Sequence, residues 1–312
     1  MRFYSFICAM MIALLSGCGG GGGSSSAVNP IPAPPPQQRN ASLTDLKVDD
    51  LFDATATVLN FTVAKGSGAA TVKSDGTQGY TLANTDVRYD AATRGYSLRL
   101  GSSATAPSFN EMQRDAGSSN AVLSTYARVS GATTEDFVLF NPGPANTKLA
   151  LTYTSYGAYQ SMTDRGTNLE VVSAFFAFGV RTAASDLPRS GSATYNTLID
   201  GQFVNSSGVY ALSGSSAFSA DFDTSKISYT IVPVGTHILN GSTLSFGRFS
   251  GPGSIDTATA SFQSAGLVFG PYVVSLSGFF YGPAAAEIGG VFAFGGGAGA
   301  GTGQGALVGK KN

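Results

Sequence analysis

The chain of 312 residues holds one histidine, His237, and two cysteines, Cys8 and Cys18. A Ser-His-Asp triad would have to run through His237, and no Gly-x-Ser-x-Gly elbow accompanies it. A zinc site draws on several Cys and His ligands, and both cysteines lie in the first eighteen residues. No catalytic residue, metal or cofactor is therefore expected. His237 stands between Thr236 and Ile238 at a strand end or loop, where a surface or hydrogen-bonding role is the plain reading. The pairs Asp49-Asp50 and Glu135-Asp136 read as solvated loop charges rather than cation ligands. Glu287 is a lone carboxylate among Gly and Ala. It cannot do paired acid–base work, and is expected to cap backbone N–H groups near the Gly289-Gly290 bend. The Gly-rich run 295–305 lacks Gly-Lys-Ser/Thr and a following helix, so it reads as a linker and not as a phosphate loop. Together these residues point to a protein that is not an enzyme.

Cys18 is the one thiol with a clear chemical context. Met1-Arg2 is a short charged start, and residues 3–15 are almost wholly apolar. That run is short for a bilayer span and typical of a signal-peptide core. Leu15-Ser16-Gly17-Cys18 follows and matches the bacterial lipobox. An ordinary secretory signal with an incidental Cys is the alternative; the placement of Cys18 at the cleavage point favours acylation, by diacylglycerol and palmitate. Several acyl chains bury many CH₂ groups and make a stable anchor in a lipid bilayer. Gly19, in place of Asp, implies export to the outer membrane. Residues 18–40 form a Gly/Ser/Pro tether, flexible first and then polyproline-like.

The rest reads as β structure. Charged residues are 12% of the chain, Gly numbers 41 and Trp is absent, while β-formers are cut by turn residues every ten or so positions. Lys plus Arg number 18 against 19 Asp plus Glu, and no basic stripe exists to neutralise phosphates, so no nucleic-acid partner is expected. From residue 43 to about 182, short strands alternate with polar loops. Strands are expected at 55–63, 79–82, 86–89, 96–100, 122–129, 136–140, 150–158 and 171–180, with a short helix at 109–114. A turn-rich break at 186–191 then precedes cleaner alternation. Phe218, Ala220 and Phe222 oppose Ser219 and Asp221, and Ile227, Tyr229 and Ile231 oppose Ser228 and Thr230. A one-residue slip would turn each apolar face outward, so register is well specified. Eight strands are counted, at 192–196, 198–204, 209–223, 226–232, 242–250, 255–263, 271–280 and 291–294, enough to close a barrel whose interior side chains fill it. Most are shorter than a membrane-crossing strand, which favours a barrel bathed in water.

Residues 278–294 read Gly-Phe-Phe-Tyr-Gly-Pro-Ala-Ala-Ala-Glu-Ile-Gly-Gly-Val-Phe-Ala-Phe: strand, abrupt Gly282-Pro283 turn, strand. This stretch resembles the C-terminal signature of the transferrin-binding protein B family of bacterial surface lipoproteins, Phe-Tyr-Gly-Pro-x-Ala-x-Glu-Val-Gly-Gly-x-Phe, with Ile288 for the usual Val. Leu187-Pro188-x-Ser190-Gly191-x-Ala193-Thr194-Tyr195 is similar to the segment that opens the family's barrel. The resemblance implies an all-β chain: a signal peptide at 1–17, the tether at 18–40, an N-terminal β-rich handle domain at 41–184 and, at 185–312, a soluble eight-stranded antiparallel β-barrel with a Gly-rich tail. It implies a lipoprotein on the outer membrane, facing the cell exterior, that captures a host or environmental protein, an iron carrier or haem, and hands cargo to a TonB-dependent receptor. For haem, His237, a Tyr or a Met would be the ligand. A structural or adhesive surface protein with no cargo is the alternative. The signature does not carry ligand-binding residues across, and the polar loops at 102–119 and 141–147 are the candidate contact regions.

Overall fold

The computed structural model describes residues 39–72, 85–101, 107–297 and 300–312. The signal peptide, Cys18, the tether up to residue 38, the strand expected at 79–82 and loop residues 102–106 lie outside them. Strands in the first half are β1 (Asp50–Ala64), β2 (Ala70–Val72), β3 (Asp86–Asp90), β4 (Gly95–Arg99), β5 (Ser108–Phe109), β6 (Leu123–Ser130), β7 (Thr133–Phe140), β8 (Thr154–Asp164) and β9 (Asn168–Gly179). The second half contributes β10 (Ser192–Asn205), β11 (Gly208–Asp221), β12 (Lys226–His237), β13 (Thr243–Ser245), β14 (Phe249–Asp256), β15 (Ser261–Phe269), β16 (Tyr272–Tyr281), β17 (Glu287–Gly296) and β18 (Thr302–Lys311). Helix is confined, among the described residues, to 3₁₀ turns at Glu111–Gln113 and Pro283–Ala285.

The first sheet runs β5-β4-β3-β1-β9-β8-β7-β6, with β2 beside the far end of β1. One bridge between Arg114 and Tyr126 brings its two ends together. Its concave side is filled by rings: Phe109 stacks on Phe137 at 5.0 Å, and Phe137 on Phe176 at 5.7 Å.

The second sheet closes. β11 pairs with both β10 and β12, and β18 with both β17 and β10, so eight strands form a ring, with β13 added beside β12. The alternation read from the sequence sets the faces: Phe218 lies opposite Tyr229 and Ala220 opposite Ile227 across β11 and β12. All four point into a core with Phe203, Phe262, Phe280, Phe292 and Phe294. Small polar residues alternate outward, the reverse of a lipid-facing barrel. The all-β class and the eight-stranded closure expected from the pattern are present.

The strand inventory of the second half differs in four places: the strand expected at 242–250 is split into β13 and the start of β14, and the one expected at 255–263 is broken by a turn at 257–260 between β14 and β15. The segments expected at 192–196 and 198–204 form one strand, β10. The expected Gly-rich tail is β18, the strand that closes the ring against β10 and β17. Gly303 and Gly305 sit directly under the rings of Phe294 and Phe292, where a Cβ would collide with them. A composition that reads as linker is here a strand whose missing side chains leave room for neighbouring aromatics.

The two sheets pack outer face to outer face. Clusters around Phe140, Leu151 and Val308, and around Leu59, Phe61 and Val204, straddle the contact. Glu287, 1% exposed, reaches across. Its carboxylate accepts the N–H groups of Thr152 (2.7 Å), Tyr153 (2.8 Å) and Thr154 (2.9 Å). It does cap backbone donors, but these lie on the other sheet and not at the Gly289-Gly290 bend. Burial pushes the Glu287 carboxyl above its usual range, opposed by the three N–H donors and by Lys310. Around it Thr182 Oγ1 donates to the Gly282 carbonyl at 2.6 Å, and Lys310 Nζ to that of Ala150 at 2.9 Å.

Removing the acceptor strands three backbone donors at this contact. Glu287→Ala should cost about 3 kcal/mol of unfolding free energy, read as a lowered urea midpoint. Glu287→Gln, which keeps one acceptor oxygen, should fall between it and the parent. A midpoint for the Ala variant equal to the parent's would show that the carboxylate does not fasten the sheets.

Candidate functional site

His237 is 6% exposed at the end of β12. Its Nδ1 accepts the N–H groups of Leu239 (3.1 Å) and Asn240 (3.4 Å), and Nε2 lies 3.2 Å from the Ser207 carbonyl oxygen. That environment fixes the tautomer: Nε2 carries the proton and donates. The ring stands edge-on to Tyr210 at 4.9 Å. Both nitrogens are engaged in shaping the loop after β12, and neither is free for a haem iron or a substrate proton. Among the described residues no group of three His, Cys, Asp or Glu could hold a metal ion.

Of the acidic pairs, Asp49 is the exposed loop charge expected, but Asp50, Glu135 and Asp136 lie in strands. Asp50 opens β1 as a buried residue and accepts the backbone N–H of Asn40 at 2.9 Å. Glu135 and Asp136 lie in β7, where strand alternation sends them to opposite faces. Glu135 Oε2 takes the Arg128 Nε–H at 2.6 Å and Oε1 the Tyr159 hydroxyl at 2.7 Å. Those donors hold its carboxyl below the usual glutamate range, the Arg128 bond first.

The two candidate loops part company. Segment 141–147 is folded back on its own chain: Asn141 Nδ2 donates to the Asn120 carbonyl at 2.8 Å and Asn146 Nδ2 to that of Asn141 at 2.7 Å, with Asn146 buried. Little of its polar surface is left for a partner. The described part of 102–119 instead walls an open cleft of about 270 Å³ with β3 and β4. Tyr96, Arg88 and Asp90 form one side, and Ser108, Asn110 and Gln113 the other. The far wall is built locally. Asn110 Oδ1 accepts the Met112 N–H at 3.0 Å while Gln113 Oε1 accepts that of Asn110 at 2.8 Å, a reciprocal cap that starts the 3₁₀ turn. A short helix at 109–114 is expected from the sequence, and the Asn110-x-x-Gln113 spacing is the signal that could have marked its cap; that Arg88, Asp90 and Tyr96 face it was not legible. The Arg128 guanidinium lies 4.9 Å over the Phe109 ring and donates to the Ser108 carbonyl at 3.0 Å, pinning the wall to β6. Asp90 accepts the N–H and hydroxyl of Thr93, which hold its carboxyl below the usual range.

The cleft offers short hydroxyl and amide groups, one cation, one anion and an aromatic floor. Such a surface suits recognition of a polar partner, and no lining residue is a nucleophile paired with a base.

This fold defines a β protein of two packed antiparallel sheets, one of them a closed eight-stranded barrel. No family model and no curated protein matches the sequence. Solved structures similar to it include transferrin-binding protein B from Haemophilus parasuis, at 15% identity over 82% of this chain, with a TM-score of 0.43. This chain spans only 45% of that one. They also include the haemoglobin receptor HpuA from Kingella denitrificans, at 15% identity over 85% of this chain and 87% of that one, TM-score 0.39. The lactoferrin-binding protein B N-lobe of Moraxella bovis has 12% identity over 83% and 99%, TM-score 0.34. At these identities and scores the likeness assigns no ligand.

The Glu135–Arg128 pair predicts an acid response. The folded-state pKa of Glu135 is depressed, so its contribution is present above the ordinary value of 4.5 and is lost as pH falls through the lower folded value. Amide exchange at residues 107–113 should therefore accelerate below about pH 4.5 relative to β8 and β9. In Arg128→Met the same amides should exchange fast already at pH 7. Protection that is uniform across pH in the parent would dismiss the clamp.

Proposed function

We propose that the protein is an outer-membrane lipoprotein, anchored through acylated Cys18, that captures a partner protein at the cleft between β3–β4 and residues 107–113. The cleft carries the reading: an open recess of hydrogen-bonding side chains on a scaffold stiffened by stacked rings, with no catalytic pair beside it. The one histidine lies outside this cleft and is committed to Ser207, Leu239 and Asn240, and the hydroxyl, amide and charged lining suits a protein surface. The resemblance of residues 278–294 to the transferrin-binding protein B signature supports an iron-carrying protein as cargo and a TonB-dependent receptor as its recipient. It also supports the partition into a handle and a barrel. Adhesion without transport is the competing reading, and it predicts capture with no iron-dependent growth advantage.

The anchor is tested by Cys18→Ser: labelled palmitate should fail to incorporate, and the mature chain should leave the outer-membrane fraction. Retention there would refute lipid anchoring. Capture is tested with the immobilised mature chain and purified transferrin, haemoglobin and lactoferrin, the proteins named by the similar structures. Binding of one of them that falls at least tenfold in Ser97→Arg, with an unchanged melting curve, is the expected result; a tenfold loss corresponds to about 1.4 kcal/mol. Undiminished capture by Ser97→Arg would remove the cleft from the interface, and failure of all three to bind would exclude these cargoes.

A further inference from the structure

The sheets do not meet along their whole contact. Beside β7–β9 and β10–β11 they leave a groove of about 220 Å³ that shares no lining residue with the cleft described above. Its floor is two cross-strand rows: Asp136 opposite Gln160, opposite Ser173, and Val138 opposite Ala158, opposite Phe175. The barrel supplies the facing wall, with Gln202, Val209 and Ile238.

Two polar groups in this groove are unmatched. Asp136 is the one charged side chain lining it, is half-buried, and has no ion-pair or hydrogen-bond partner among the described residues. Burial alone pushes its carboxyl above the usual range. Gln202 is 8% exposed, and its side-chain oxygen has no hydrogen-bond partner. A buried acceptor left unpaired costs about 1–3 kcal/mol, and a carboxylate in an apolar recess costs more when unpaired than when paired. The Gln202 oxygen is covered by its surroundings and out of a ligand's reach, while Asp136 lines the groove with no Lys or Arg to answer it. An anion would be repelled by Asp136, and a neutral hydrocarbon would leave its carboxylate unpaired. A cation with N–H donors answers it. The apolar remainder, Val138, Phe175, Val209 and Ile238, suits a hydrocarbon or aromatic body. The volume is below the roughly 300–1,000 Å³ of drug-sized pockets, so that body is compact.

We propose that this groove is a binding site for a small organic cation, a primary ammonium group carrying a compact apolar or aromatic body. The ammonium pairs with the Asp136 carboxylate, while the body covers the aliphatic wall and Phe175. The site does not depend on the partner-capture reading, since none of its lining residues belongs to the first cleft.

The test is calorimetry on the full mature chain at pH 7.5 with three probes of one shape: phenethylammonium, 2-phenylethanol and 3-phenylpropionate. The expected result is saturable binding of the ammonium with a Kd of about 1 mM or tighter, and binding of the alcohol and the carboxylate at least tenfold weaker. Asp136→Asn should weaken the ammonium about tenfold, and Asp136→Glu should restore part of it. Raising salt should weaken the ammonium and leave the alcohol unaffected, a readout in the parent chain that does not depend on any variant folding. Equal binding of all three probes would mean an apolar crevice only and overturn the proposal. So would tighter binding of the carboxylate, no saturation by the ammonium, or undiminished binding to a folded Asp136→Asn.

Discussion

One carboxylate holds this molecule to a single arrangement. Glu287 stands at the first position of β17, and its two oxygens accept three successive backbone N–H groups from the entrance of β8. A buried carboxylate is costly to desolvate, and hydrogen bonds to its charged form are what offset that cost. Three donors in a row also set geometry: they define where β8 begins relative to the barrel wall. The turn before Glu287 exists to place it. Gly282 adopts a φ of 71° against the ring of Tyr153, a position closed to any side chain, and Pro283 then redirects the strand. Arg181 completes the corner, pairing with Asp53 of β1 at 3.0 Å while its guanidinium covers Phe279 of β16 at 4.0 Å.

The interior of each sheet explains why such a polar fastening is tolerated. With no Trp and no cysteine beyond residue 18, cohesion rests on Phe and Tyr. In the barrel Phe203 stacks on Phe294 at 5.8 Å, and Phe246 and Phe249 each approach Phe294 at 5.1 Å. Each such ring contributes on the order of 1.5–3 kcal/mol by burial, with ring–ring geometry adding to it. That core does not fix how the two sheets lie against each other. The fixing falls to the contact layer, where Gln304 donates to the Ser173 carbonyl at 3.0 Å and Tyr156 to Asp200 at 3.0 Å.

What was legible in the sequence followed from local periodicity, and what was not depended on distance along the chain. The inward set Phe218, Ala220, Ile227 and Tyr229 could be read because alternation fixes a face within a few residues. The strand β18 could not, because the pattern there belongs to its neighbours: Gly303 and Gly305 are small on account of Phe294 and Phe292, and Gly carries no periodic signal of its own. Glu287 was recognisable as a cap, yet its donors lie more than 130 residues away. The Glu135-Asp136 pair misled for a related reason. Adjacent carboxylates suggest an exposed loop, but in β7 the pleat sends Glu135 inward to Arg128 and Tyr159 and leaves Asp136 on the face toward the barrel. The candidate cleft was half visible, since a short helix at 109–114 could be expected while the opposing Tyr96 and Arg88 come from a different hairpin.

The contact layer is also where the molecule is least satisfied. Thr55, Thr57, Gln202 and Gln304 all lie buried in it, and each has an oxygen without a hydrogen-bond partner. Near Glu287 the carboxylate is fully answered, yet the Tyr281 hydroxyl on the residue paired with it is buried without a hydrogen-bond partner. At the other end the contact is apolar, with Leu59, Phe61, Val171, Val204 and Val209 packed together. Specific polar geometry at one end and plain burial at the other therefore hold the sheets, and the groove beside Asp136 opens on the same layer without touching a residue of the cleft near Tyr96.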